Sequence, residues 1–80
     1  MNINIKKKAI KILDENGRIS AESLAKSANV SKEIALRALE EMKNKNGLLV
    51  MGYNDELRKT YILAKNLKIE QRDLLEELRE

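Results

Sequence analysis

The run from Ser20 to Met42, SAESLAKSANVSKEIALRALEEM, decides the fold. Ala21, Leu24, Ala25 and Ala28 fall at helical spacing on one face, leaving Glu22, Ser23, Lys26 and Ser27 to solvent. Ser20 stands where an N-cap is needed, so a helix is predicted over 21–28. Asn29 tolerates the left-handed backbone that a sharp turn requires, and Val30 is placed to plug the gap beneath it. Ser31 then caps a second helix, running to about Lys45, whose inward positions are Ala35, Ala38, Leu39 and Met42. The alanine-rich faces are narrow and suit close packing of one helix on the other.

Upstream, Ile5, Ala9, Ile12 and Leu13 repeat the inward spacing of a helix whose outer face is Lys6, Lys7, Lys8 and Lys11. Asn16-Gly17 stops it, and Arg18-Ile19 has room only for a short extended segment. Downstream, Asn46-Gly47 ends the long helix and Leu48-Leu49-Val50-Met51 begins an extended run, with Gly52 read as a bulge or a close approach. Asn54-Asp55-Glu56 reads as a turn, and Arg58 to Leu63 as the returning strand of a hairpin. Residues 66–80 repeat Leu67, Leu74 and Leu78, with Leu75 beside them, as a fourth helix. The expected architecture is α+β and mostly α. No proline, Gly/Ser-rich linker or internal repeat divides it.

Eighty residues make one domain, which buries only about 60% of the surface its unfolded chain exposes. Apolar residues at 42% suffice for a core, but Tyr53 and Tyr61 are the only aromatics, so aliphatic side chains must build it. There is no cysteine or histidine, hence no disulfide framework, and a transition-metal site would be all carboxylate. No metal or other cofactor is expected. The acidic pairs Asp14-Glu15 and Asp55-Glu56 lack a pocket, and no nucleophile stands with a base, so an enzyme is not expected. No apolar run reaches the roughly 20 residues of a membrane helix, and the start Met1 to Lys6 is too short in apolar length for a leader, so the cytoplasm is expected. Residues 1–65 carry 13 Lys and Arg against 8 Asp and Glu, whereas 66–80 carry 3 against 5. A basic body of this kind is drawn to polyanions.

The pattern Leu24-Ala25, Val30-Ser31, Ile34-Ala35-Leu36-Arg37-Ala38-Leu39, Met42 and Gly47-Leu48-Leu49 resembles the winged helix-turn-helix superfamily, over roughly residues 5–65. The resemblance implies three helices and a β-hairpin wing in residues 1–65, with the helix of 66–80 added. Within the superfamily the chain looks like small bacterial and archaeal transcription regulators, which implies a sequence-specific DNA-binding protein acting by operator occupancy as a homodimer. The Ile34 to Leu39 stretch also resembles the winged-helix protein of the archaeal and eukaryotic small ribosomal subunit, which leaves an RNA-binding role open. A protein-interaction module is the third reading, prompted by Ile34, Leu36 and the outward Glu33 and Glu40. Regulators usually carry a small hydroxyl residue where Ile34 stands and often a polar or basic one where Leu36 stands, and the wing tip here carries Asp55 and Glu56, an awkward charge to bring towards phosphate.

Family geometry would send the helix after Ser31 into a major groove of duplex DNA, with Arg37 making two hydrogen bonds to phosphate or guanine. The alternative for Arg37 is an ion pair with Glu33 or Glu41, each one helical turn away. Lys32 would act as a point charge on the backbone, Lys43 shares its shoulder of the helix among the nucleic-acid-binding candidates, and Leu36 would meet a thymine methyl, a protein, or the wing or last helix. Ser20 and Ser31 cap helices whose amides can also seat phosphate. Arg58 and Lys59 lie at the base of the returning strand, on opposite faces. Leu67, Leu74, Leu75 and Leu78 form a seam that either folds onto the domain or joins two subunits; the homodimer reading assigns them to dimerisation.

Overall fold

The computed structural model describes residues 3–80 and consists of four helices and one antiparallel hairpin. Met1 and Asn2, which open the segment read as too short for a leader, lie outside the described residues. The helices are α1 (Ile3–Asn16), α2 (Ala21–Ala28), α3 (Lys32–Asn44) and α4 (Ile69–Arg79), and the strands are β1 (Leu49–Tyr53) and β2 (Lys59–Leu63). Among the described residues no helix is long and apolar enough to cross a membrane.

The central pair forms as its sequence dictates. Ser20 and Ser23 close a reciprocal cap on α2, the Ser23 amide donating to Ser20 Oγ and the Ser20 amide to Ser23 Oγ, each at 3.2 Å. Asn29 sits in the left-handed region at φ 55°, and its amide closes the last turn of α2. Ser31 Oγ accepts the Ile34 amide at 3.2 Å to start α3. The inward Ala35, Ala38, Leu39 and Met42 are fully buried. Two alanines on that face let α2 and α3 approach closely, while Leu24 fills the space between them.

Helix α1 is longer than its periodicity predicts, and its buried face is different. Ile10, which the periodicity left unassigned, is buried, and Ile12, read as inward, is only half-buried. The cause is tertiary. α1 packs against α2 and α3 on one side and α4 on the other, so its buried arc widens towards Ile10, which lies beside Leu78. Lys6 also turns out not to belong to the solvated lysine face. Its ammonium lies 3.0 Å from Asn46 Oδ1 and 3.5 Å from Glu41 Oε2, tying α1 to the end of α3.

The hairpin pairs Leu49 with Leu63, Val50 with Ile62, Met51 with Tyr61, Gly52 with Thr60 and Tyr53 with Lys59. Gly52 therefore stays in register, with no bulge and no close neighbour that a Cβ would meet. Asn54 Oδ1 shapes the tip by accepting the amides of Glu56 and Arg58. Ile19 adds a third, one-residue rung: its amide donates to the Tyr61 carbonyl at 3.0 Å and its carbonyl accepts the Tyr61 amide at 2.8 Å.

Helix α4 starts three residues later than expected, because Gln71 Oε1 reaches back to the Lys68 amide at 2.8 Å and caps the helix there. Leu75 and Leu78 are buried in the domain's own core, and Leu67 and Leu74 pack against its margin. Of the four leucines assigned to dimerisation, two are thus covered by the chain's own core and two are half-buried at its margin. Asp14 and Arg79 clamp the ends of α1 and α4 together through two hydrogen bonds of 2.9 and 2.8 Å.

Candidate nucleic-acid interface

With its inner face sealed, α3 presents Lys32, Glu33, Ile34 and Arg37 to solvent. Arg37 forms neither of the ion pairs open to it. Glu41, one turn on, is held by Lys6, and Glu33 forms no salt bridge among the described residues. Among the described residues Arg37 is an exposed guanidinium with no acidic partner and no hydrogen bond, so all five of its N–H groups are free to meet an anion. Lys32 is different. Its ammonium lies 2.8 Å from Glu22 Oε1, a bond from α3 back to α2 that holds the Glu22 carboxyl below its usual range. Both side chains are more than half exposed, where such a pair contributes at most about 1 kcal/mol. A phosphate can displace it at little cost.

Leu36 lies half-buried against the core.

Lys43 and Lys59 are drawn into a cluster that sequence spacing did not reveal. The Tyr61 hydroxyl donates to Glu40 Oε2, and the ammonium groups of Lys59 and Lys43 lie 3.7 and 3.9 Å from the same carboxylate. The Tyr61 hydrogen bond, more than the two lysines, holds the Glu40 carboxyl below its ordinary value. Burial, seconded by Glu40, pushes the Tyr61 hydroxyl above its own, so it stays a donor. Lys59 also lies 5.4 Å from the centre of the Tyr61 ring, within cation–π range. Glu40 is thus a bolt between α3 and the hairpin. It was expected to stand outward and to repel phosphate; half-buried and neutralised by two cations, it does neither.

A groove of about 630 Å³ runs between the start of α2 and the hairpin, lined among others by Arg18, Ser20, Ser23, Arg58 and Lys59. Glu22 is its one acid. The structure therefore brings Ser20, Arg58 and Lys59 together, while Ser31, Lys32 and Arg37 share α3. Arg18 was missed in the sequence. Its only signal was adjacency to Ile19, whose rung with Tyr61 carries Arg18 to the hairpin. Arg58 is less available than Arg18, since its guanidinium lies 3.3 Å from Glu56 at the exposed tip.

No protein-family model, curated protein or solved structure matches this chain. The geometry must carry the functional reading alone. Lys7, Lys8 and Lys11 form no ion pair among the described residues and lie along α1, lining a shallow groove beside α4. Asp14, Glu15 and Glu80 line the same groove, so these lysines belong to a surface of mixed charge, separate from α3.

Proposed function

We propose that the chain is a winged helix-turn-helix protein that binds duplex DNA through α3 and acts as a transcriptional regulator by occupying its site. The observation that carries this reading is Arg37, a guanidinium left unpaired on the exposed face of a helix whose opposite face is fully buried. Such a helix is rigid and can enter a groove without losing its own packing. Lys32, at the amino-terminal end of the same helix, reaches the phosphate backbone once released from Glu22. Arg18 and Arg58 supply the cations of the flanking groove, where the start of α2 adds partial positive charge.

The pairing of Glu40 with Lys43, Lys59 and Tyr61 weakens one half of the sequence argument for a protein partner in place of nucleic acid. Glu33 remains as an outward acid one turn before Arg37, and it favours particular base edges over uniform phosphate contact, since a carboxylate accepts from cytosine N4.

Fluorescence anisotropy of a labelled duplex, beside a structured RNA hairpin, tests the proposal. Four phosphate contacts give a log–log salt slope of about −3.6, a loss of roughly 100-fold between about 50 and 200 mM salt. Arg37→Ala reduces that slope by about 1 if the guanidinium holds phosphate, or relaxes discrimination at one base pair if it reads guanine. Tighter binding to the hairpin than to any duplex would move the reading to RNA. Absence of salt-sensitive binding to either would refute it.

A further inference from the structure

The outer edge of β1 is an open pairing surface, and its orientation follows from the hydrogen bonds. Ile19 and Tyr61 exchange both of their backbone bonds, so the Tyr61 amide and carbonyl point away from β1. Backbone direction alternates along a strand, so Thr60 and Ile62 point into β1, towards Gly52 and Val50. The ends of the ladder agree: the Leu48 carbonyl accepts the Ala64 amide at 2.8 Å, and the Asn54 amide donates to the Arg58 carbonyl at 3.1 Å. Leu49, Met51 and Tyr53 consequently turn their amides and carbonyls outward, where no other strand of the described residues meets them.

Proteins protect such edges with charged side chains, proline or bulges. This edge has none of the three. Leu49-Val50-Met51-Gly52-Tyr53 is uncharged and in regular register, and Val50, Met51 and Tyr53 are 43, 42 and 64% exposed. Charge resumes only at the ends, with Asp55 and Glu56 at the tip and Lys45, which forms no ion pair among the described residues, before the strand.

We infer that β1 pairs with β1 of a second copy of this chain, antiparallel, about a two-fold axis at Met51. The ladder from Leu48 to Asn54 has Met51 at its midpoint, so the edge is self-complementary. Met51 faces its own copy, and Leu49 faces Tyr53 of the other copy, in line with the isologous contacts that a two-fold requires. The register also favours this occupant electrostatically. Continued past the strand, it brings Asp55 of each copy, which unlike Glu56 is not held by Arg58, beside the 45–47 turn of the other, where Lys45 stands. Val50 then lies opposite Gly52, which leaves room for its side chain. A five-residue edge is only about 17 Å long, well short of what is needed to bury the roughly 1,200 Å² of a stable interface. The dimer therefore forms in the upper micromolar range and exchanges quickly. It does not depend on the nucleic-acid reading.

Sedimentation velocity from about 20 μM to about 1 mM without nucleic acid tests it. The wild-type mass is expected to rise from monomer towards dimer, while the amides of Met51 and Tyr53 gain protection from hydrogen exchange with concentration. Met51→Lys sets two like charges opposite each other at the axis and holds the protein monomeric at every concentration. Met51→Pro removes an amide that takes no part in the intrachain ladder, and has the same effect. A wild type that stays monomeric at about 1 mM overturns the inference. So does a Met51→Lys protein, folded by circular dichroism, that associates as the wild type does.

Discussion

Replacing Leu78 by alanine separates a helix that completes the domain from one that joins two domains. Leu78 is 2% exposed and lies beside Ile10 of α1. The substitution removes three carbons from a closed site, worth about 2.4 kcal/mol at about 0.8 kcal/mol for each buried methylene. Incomplete collapse of the cavity raises the loss to about 3 kcal/mol. An 80-residue domain has roughly 4–12 kcal/mol in all, so this is a large share of its stability. With an m-value of about 1 kcal/mol per molar, the urea midpoint falls by about 3 M. Thermal unfolding falls by roughly 12–24 °C. Chemical denaturation followed by far-UV circular dichroism, at about 2 and about 20 μM protein, distinguishes the two arrangements. Packing within one chain leaves both midpoints unmoved by concentration, whereas a seam shared between subunits raises the midpoint with concentration. A loss below about 1 kcal/mol, or a midpoint that climbs with protein concentration, would refute the placement of α4 in the core.

Tyr61→Phe removes the hydroxyl that bolts the hairpin to Glu40 and costs about 1 kcal/mol, since Lys43, Lys59 and water still serve the half-exposed carboxylate. The Glu40 carboxyl is depressed in the folded state, so its contribution is full above the unfolded carboxylate value and is lost as pH falls through the folded one. Urea titrations at pH 7 and at about pH 3 should therefore show the gap between wild type and variant narrowing on acidification; a gap that widens contradicts the hydrogen-bond assignment. Gly47→Ala is costly for two reasons. Its φ of 64° strains any L residue, and its new Cβ meets the Gln71 side chain that caps α4. A loss of about 2–3 kcal/mol is expected. In a thermal double-mutant cycle with Gln71→Ala the combined loss is smaller than the sum, and strict additivity would show that the two residues do not touch.

Much of the fold is legible along the chain because its signals are local. The caps at Ser20 and Ser31, the left-handed Asn29 and the inward Ala35, Ala38, Leu39 and Met42 are each specified within a few residues of their effect. The hairpin is similarly local, with its turn residues between two extended runs. The misreadings of burial share one cause, which is distance in sequence, whereas the late start of α4 is set locally by Gln71 at the Lys68 amide. Ile10 is buried because α4 returns to cover it. Lys6 leaves the lysine face because Glu41 and Asn46 arrive from the end of α3.

The candidate interface divides the same way. Arg37 and Lys32 could be named from helical periodicity, which says what a helix turns outward. Periodicity says nothing about which outward charges find partners on other elements. Glu40 and Lys59 are neutralised together, and Arg18 is carried to the hairpin, by strands that lie 19 residues or more away. The sequence by itself determined the order of helices and hairpin, the caps at Ser20 and Ser31 and the inner face of α3, since each depends on residues within one or two turns. Only the tertiary structure decided which charges remain free, where the leucines of α4 are buried and which edge of β1 stays open. Those properties belong to pairs of distant residues, and their free energies exist only once the chain has brought the pairs together.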